Sequence, residues 1–323
     1  MESLMQVRDM IEKKDNFLLM GHVDPDGDCI GSLFALKWYL DFLNKHSLIL
    51  LENSPSERYE LFDIDPSDYL TFEEFSPDSN TDYTCLALDA GDMDRLGSGK
   101  ELAEKYFLIN IDHHLNNPEY GDINYVNSEK AAVGEIIYDL LELSNDFQIN
   151  KKVGTAIVTA VIADTGGFRY QNTTARVFDI ISEIMETGVD IYRINRSIFA
   201  DYKFNSVKLK GMALSTLELH DNEKIAYLRV EQNMLKKVGL DIDDASGLVN
   251  YARDIRGVEV GLIFSELNEN ETRVGFRSNE YCPVNEIAAI FGGGGHARAA
   301  GCTIDKNIDK AQKMVLSKVE EYV

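Results

Sequence analysis

Aspartates and histidines gather where short apolar runs of this chain stop. His22, Asp24, Asp26 and Asp28 follow the run Phe17 to Gly21 in GHVDPDGDCIGS, Asp89 closes YTCLALD, and Asp112, His113 and His114 end the run that begins YFLINI. Each run has strand character. Ligand-binding residues of open α/β sheets collect beyond the carboxyl ends of strands, so three stretches distant in sequence converge on one sheet edge. Asp164 is a fourth contributor. It ends the apolar helical stretch AIVTAVIADTGG, where a carboxylate at the margin of buried surface needs a cation or hydrogen-bond donors. Carboxylates brought together in this way repel, and the simplest remedy is a pair of divalent cations whose charge balances four aspartates. Imidazole and carboxylate ligands without thiolate suit Mn²⁺ best, and Mg²⁺, Fe²⁺, Co²⁺ and Zn²⁺ are also compatible.

Plainer readings compete with this one. DPDGD resembles the opening of an EF-hand loop, but Cys29 stands where that loop needs glycine and Ala35 where it needs its bidentate glutamate. Asp24 precedes Pro25 and serves equally well as a turn former. A single Asp-His-His string at a strand end is more often a satisfied terminus than a ligand set, and the joint occurrence of four such clusters is what favours metal. GGGGHARAAG, Gly292 to Gly301, reads as a flexible linker or as an anion nest beside His296 and Arg298. It is no dinucleotide fingerprint, because a helix rather than a strand precedes it.

The elements that must position these residues alternate in type. Strands are expected at Phe17 to Gly21, Leu48 to Leu51, Tyr83 to Leu88 and Phe107 to Ile111, and helices at Ile30 to Leu43, Ala131 to Leu143, Val153 to Ala163 and Thr174 to Met185. The acidic stretch from Leu61 to Asp82 has weak periodicity and is expected to wrap the sheet irregularly. Ile191 to Leu217 turns helical and locally basic, with Arg193, Arg196, Lys203, Lys208 and Lys210. Beyond it come an expected strand from Lys224 to Val230, two helices up to Arg253, strands at Val258 to Phe264 and Thr272 to Arg277, a helix from Val284 to Phe291, the glycine run and a closing helix, Ile308 to Tyr322. The fold class is therefore α/β. An N-terminal domain (1–190) with a largely parallel sheet flanked by helices is joined by a helical linker (191–217) to a smaller C-terminal α/β domain (218–323).

Composition bounds the function. A chain of 323 residues, 44% of them hydrophobic, exceeds the size at which one core usually gives way to two. Lys and Arg total 32 against 55 Asp and Glu, a net charge of −23, which opposes binding along a long phosphate backbone, so a nucleic-acid ligand must be short. No apolar stretch is long enough to span a bilayer, and the charged, helical N-terminus is unlike a signal peptide, so a cytoplasmic location without membrane association is expected. Cys29, Cys85, Cys282 and Cys302 form no paired-thiolate motif and read as reduced and structural.

Taken in order, HVDPDGDCIGS, LALDAGD, IDHH and ADTGGF resemble the motifs of the DHH family of phosphoesterases. VEVGLIFSE, RVGFRSNE and FGGGGHARAAG resemble the DHH-associated domain, so the resemblance covers nearly the whole chain. Within that family the chain resembles the NrnA-like subfamily. The resemblance implies an enzyme that releases mononucleotides from very short oligoribonucleotides and dephosphorylates 3′-phosphoadenosine 5′-phosphate (pAp). Some relatives also act on pApA, a product of cyclic dinucleotide breakdown. It assigns His22, Asp26 and Asp89 to one ion and Asp28, Asp89, His113 and Asp164 to a second, with Asp89 bridging, His114 facing the scissile phosphate and Asp112 orienting a neighbour. It assigns Arg277, Ser278, Gly293, Gly294, Gly295, His296 and Arg298 to the nucleotide, makes the linker a hinge, and implies homodimers by analogy. An exonuclease of the RecJ type acting on long strands fits less well, because it needs a basic channel with aromatic platforms and this chain has one Trp and a net charge of −23. A family II pyrophosphatase shares the early motifs but not the glycine-rich ending.

Overall fold

The computed structural model describes residues 3–144, 146–220, 223–245 and 247–323. The chain divides into two compact units, Met1–Asp201 and Tyr202–Val323. The division falls inside the stretch expected to link the domains.

Unit 1 runs α1 (Leu4–Lys13), β1 (Phe17–Met20), α2 (Gly27–Phe42), β2 (Ser47–Leu51), β3 (Tyr69–Thr71), β4 (Thr84–Leu88), α3 (Lys100–Lys105), β5 (Phe107–Asp112), β6 (Ile123–Val126), α4 (Val133–Glu142), α5 (Lys151–Asp164), α6 (Ala175–Met185) and α7 (Ile191–Phe199). Short 3₁₀ turns occupy Glu57–Phe62 and Met93–Gly99. The six strands form one parallel sheet in the order β3-β2-β1-β4-β5-β6. Near-continuous apolar strands such as FLLM and TCLAL suit a sheet buried on both faces. Leu19, Ile49, Leu86 and Ile109 pack under α2, α4 and α5, while Leu18, Met20, Leu50 and Leu108 face a second cluster with Leu96 and Ala103. Glycine lets the covering helices touch: a Cβ at Gly31 would collide with the Ala156 carbonyl of α5.

In unit 2, α8 (Phe204–Leu214), β7 (Glu218–Leu219), β8 (Ile225–Val230), α9 (Gln232–Val238), α10 (Val249–Arg253), β9 (Val260–Asn268), β10 (Glu271–Ser278), α11 (Val284–Ile290), β11 (Gly294–His296), β12 (Ala299–Ile304) and α12 (Ile308–Val319) follow. The sheet order is β11-β12-β10-β9-β8-β7, with β8 and β9 parallel and the other pairs antiparallel. One face packs on α11 and α12, the other on α8, α9 and α10.

Several local expectations change. The helix expected from Ile30 begins at Gly27, because Asp26 caps it, its Oδ1 accepting from Asp28 N at 2.9 Å and Cys29 N at 3.1 Å. The stretch expected to be irregular contributes edge strand β3, whose pattern is too short to read. Part of the glycine run is strand rather than loop: Gly294–His296 pairs antiparallel with Ala299–Gly301. Glycine carries no strand signal of its own, so a pairing set by the partner strand leaves no mark in the sequence. No helix among the described residues is long and apolar enough to cross a membrane.

Candidate metal centre

The strand order explains the convergence. β1, β4 and β5 are adjacent and parallel, so the residues after Met20, Leu88 and Ile111 emerge side by side at one edge. Asp89 follows β4 with a positive φ of 55°, a backbone shape that is uncommon outside glycine and concentrates at functional sites. The end of α5 brings Asp164 to the same place.

His22, Asp26, Asp28, Asp89, His113 and Asp164 meet there, in two halves that share Asp89. On one side His22 Nε2 lies 3.7 Å from Asp89 Oδ2 and 3.9 Å from Asp26 Oδ1. On the other, His113 Nε2 lies 3.6 Å from Asp89 Oδ1, 3.8 Å from Asp28 Oδ2 and 3.2 Å from Asp164 Oδ2. Most of these separations are too long for hydrogen bonds. They suit donors that would share a cation, since ligand atoms each about 2.0–2.2 Å from an ion stand about 3–4 Å apart.

The electrostatics fit the same reading. Asp28 and Asp89 are buried, at 0% and 3% exposure. Burial, then the charges of Asp28, Asp26, Asp164 and Asp112, holds the Asp89 carboxyl far above the usual carboxylate range. Burial and the neighbouring aspartates push Asp164 up to about 9. Burial likewise raises Asp28, in spite of His113 nearby. Such a cluster stays ionised only against positive charge, which the described residues at its centre do not supply and divalent cations would.

Neighbouring groups orient the donors. His113 Nδ1 lies 3.3 Å from the Lys130 carbonyl, which leaves Nε2 free to act as a ligand. Asp28 also holds a helix end. Its oxygens accept from Val133 N at 2.6 Å, Gly134 N at 2.9 Å and Ser32 Oγ at 3.1 Å, so it caps α4, which Ala132 cannot do. Asp112 is fully buried and lies outside the two halves. It accepts from His113 N at 2.8 Å and Asn117 Nδ2 at 2.6 Å and pairs with His114 Nδ1 at 2.8 Å. This hydrogen bond raises the His114 imidazole above its ordinary value and turns Nε2 outward from a half-exposed ring. Asp112→Asn is expected to lower kcat by roughly 10–100-fold with little change in metal affinity, read by initial rates across a metal titration.

Sequence reasoning missed two of these contributors, Asn117 and the Lys130 carbonyl. Cys29 Sγ groups with His22 and Asp89, and burial raises its thiol well above the ordinary value. Asn117 and the Lys130 carbonyl act through the fold and carry no motif. Asp24 is exposed and outside the cluster.

The residues assigned to the nucleotide all lie in unit 2. Ser278 and Arg298 are already engaged: Ser278 Oγ donates to Cys282 O at 2.7 Å, and Arg298 donates to Cys282 O at 3.1 Å and to Glu280 O. Both brace a turn whose amides at Glu280, Tyr281 and Cys282 donate to buried Glu259. Arg277 Nη1 donates to Phe276 O at 2.9 Å, and burial beside Arg253 lowers its pKa. Gly294, Gly295 and His296 form exposed edge strand β11, and Gly293 packs so closely on Gly301 that no Cβ fits.

A parallel α/β sheet presenting a shared-aspartate donor set of this kind suits a metal-dependent phosphoesterase. The model of the DHH family N-terminal domain matches residues 16–163, and that of the DHHA1 domain matches 222–322. The chain is 32% identical over 304 residues to the bifunctional oligoribonuclease and PAP phosphatase NrnA of Thermus thermophilus, covering 93% of this chain and 88% of that one. It is 28% identical over 293 residues to the Bacillus subtilis protein of the same name, covering 90% of each. An exopolyphosphatase-related protein from Bacteroides fragilis superposes with a TM-score of 0.88 at 26% identity, covering 99% of this chain and 96% of that one. The chain belongs to the DHH family of phosphoesterases, with a DHHA1 domain following the catalytic one.

Proposed function

We propose that this protein hydrolyses very short oligoribonucleotides to mononucleotides and dephosphorylates pAp to AMP, with two manganese ions. The observation that carries the reading is the pair of donor sets sharing Asp89: His22 on its Oδ2 side with Asp26 beside His22, and His113 on its Oδ1 side with Asp28 and Asp164 beside His113. Similarity over 90–93% of this chain to relatives that bear those two activities in their names supports the choice of substrate. Two divalent ions held there supply Lewis-acid polarisation of the phosphate and a water acidic enough to attack near neutral pH. The protein's own groups do the rest. Asp112 fixes His114 so that its Nε2, protonated more readily than a free imidazole, offers a hydrogen bond to a phosphoryl oxygen. In unit 2, Arg277, Ser278, His296, Arg298 and the backbone of Gly293, Gly294 and Gly295 are proposed to hold the nucleotide, with Ser278 and Arg298 also bracing the adjoining turn. A net charge of −23 favours short substrates over long ones, and a cytoplasmic, unattached enzyme is part of the proposal.

Initial rates on pAp, pApA, a five-residue RNA and a long single-stranded DNA, all with Mn²⁺, test this. Turnover of pAp and the RNA is expected, with the long DNA slower by roughly 100-fold. Activity confined to the long DNA would replace the reading with a RecJ-like one, and no turnover of pAp or RNA would remove it.

A further inference from the structure

Against the Asp26 side of the centre, wholly within unit 1, lies a cavity of about 570 Å³. One wall is the loop Val23–Gly27 that leads into α2. A second is the segment after β2, from Asn53 to Tyr59. The third is the end of α7, at Ile198 and Phe199. A hydrogen bond from Ser197 Oγ to the Arg58 carbonyl ties the second wall to the third. This volume lies within the range of about 300–1,000 Å³ typical of sites for one small ligand.

The lining has the mixed character that a nucleoside needs. Ile198 and Phe199 line it with apolar surface that suits a base, and Ser54 offers a hydroxyl. Asp24 and Arg58 also face it, and neither side chain has a hydrogen-bond or ion-pair partner among the described residues. A carboxylate accepts hydrogen bonds from ribose hydroxyls, and a guanidinium matches the planar array of phosphate oxygens. Asp26 belongs both to the cavity wall and to the donor set, so a ligand here adjoins the phosphate under attack. His114 stands on the Oδ1 side of Asp89, away from His22 on the Oδ2 side.

We infer that this cavity is a subsite for one nucleoside unit of the substrate, the unit attached on the Asp26 flank of the scissile phosphate, with Asp24 toward its ribose and Arg58 toward an adjoining phosphate. The inference rests on the function proposed above. It places part of the specificity for short nucleotides in unit 1.

Filling the cavity with Ser54→Trp tests it, through kinetics on pApA and p-nitrophenyl phosphate with Mn²⁺ and calorimetric binding of AMP in EDTA. KM for pApA is expected to rise about tenfold or more with kcat little changed, and AMP affinity to fall by about tenfold, whereas turnover of p-nitrophenyl phosphate, too small to reach the cavity, changes less than about twofold. Arg58 is exposed, so Arg58→Ala keeps the fold as a second probe; it is expected to raise KM for pApA by about tenfold, with partial recovery in Arg58→Lys. Unchanged KM and unchanged AMP binding in both variants would overturn the subsite. If the wild type turns over neither substrate yet AMP binding is lost on filling the cavity, the proposed reaction fails and the subsite stands.

Discussion

Asp89→Asn is expected to cut phosphoester turnover by roughly 10³-fold or more while leaving the protein folded. The asparagine keeps the size of the side chain and one acceptor oxygen, so the packing at the end of β4 survives. It loses the charge that both halves of the donor set share, since Asp89 Oδ2 faces His22 and Oδ1 faces His113. Every other ligand belongs to one half, so this substitution should exceed the effect of Asp26→Asn or Asp164→Asn. The metal-stripped variant should also melt higher than the stripped wild type, because one of several buried like charges is gone. Rates at saturating Mn²⁺ and melting curves in EDTA check both parts. Near-normal turnover in Asp89→Asn would mean that Asp89 does not bridge.

Chelation is the second large effect. With EDTA, activity is expected to vanish and the melting temperature to fall by about 10 °C, since an ion present at about a thousand times its Kd stabilises by about 4 kcal/mol. The loss should grow with pH. Asp164 is pushed up to about 9 and Asp89 well above the usual range, so without metal both bind protons more tightly in the folded chain than in the unfolded one, where aspartates titrate near about 3.9. Their contribution to stability is fully present below about pH 4 and is lost as pH rises toward about 9, so the stripped protein should be weaker at pH 8 than at pH 6. Added Mn²⁺ should flatten that slope by holding both groups ionised. A melting temperature indifferent to Mn²⁺ at both pH values would rule out a metal centre built from these residues.

Much of the centre was readable because strands β1, β4 and β5 are apolar on both faces and stop abruptly at Asp or His. A run such as TCLALD announces both the strand and the polar group that its end presents. The edge strands were harder. β3 has three residues and β11 is GGH, and their pairing is imposed by β2 and β12 rather than by any propensity of their own. The division of labour inside DPDGD was also hidden: helix α2 starts at Gly27, so Asp26 becomes its cap and Asp28 turns inward to cap α4, 105 residues away along the chain. Ser278 and Arg298 show the opposite case, motif residues whose polar groups the fold has already engaged in bracing a turn.

Sequence alone determined the class of chemistry and the residues available for it, because donor types and strand ends are local properties written in consecutive residues. Tertiary structure decided which oxygen of Asp89 serves which half, how far the carboxyl groups are driven from their ordinary pKa values, and that a cavity opens between α2, the segment after β2 and α7. Those are sums over groups remote in sequence, and only packing brings them within a few ångströms of one another.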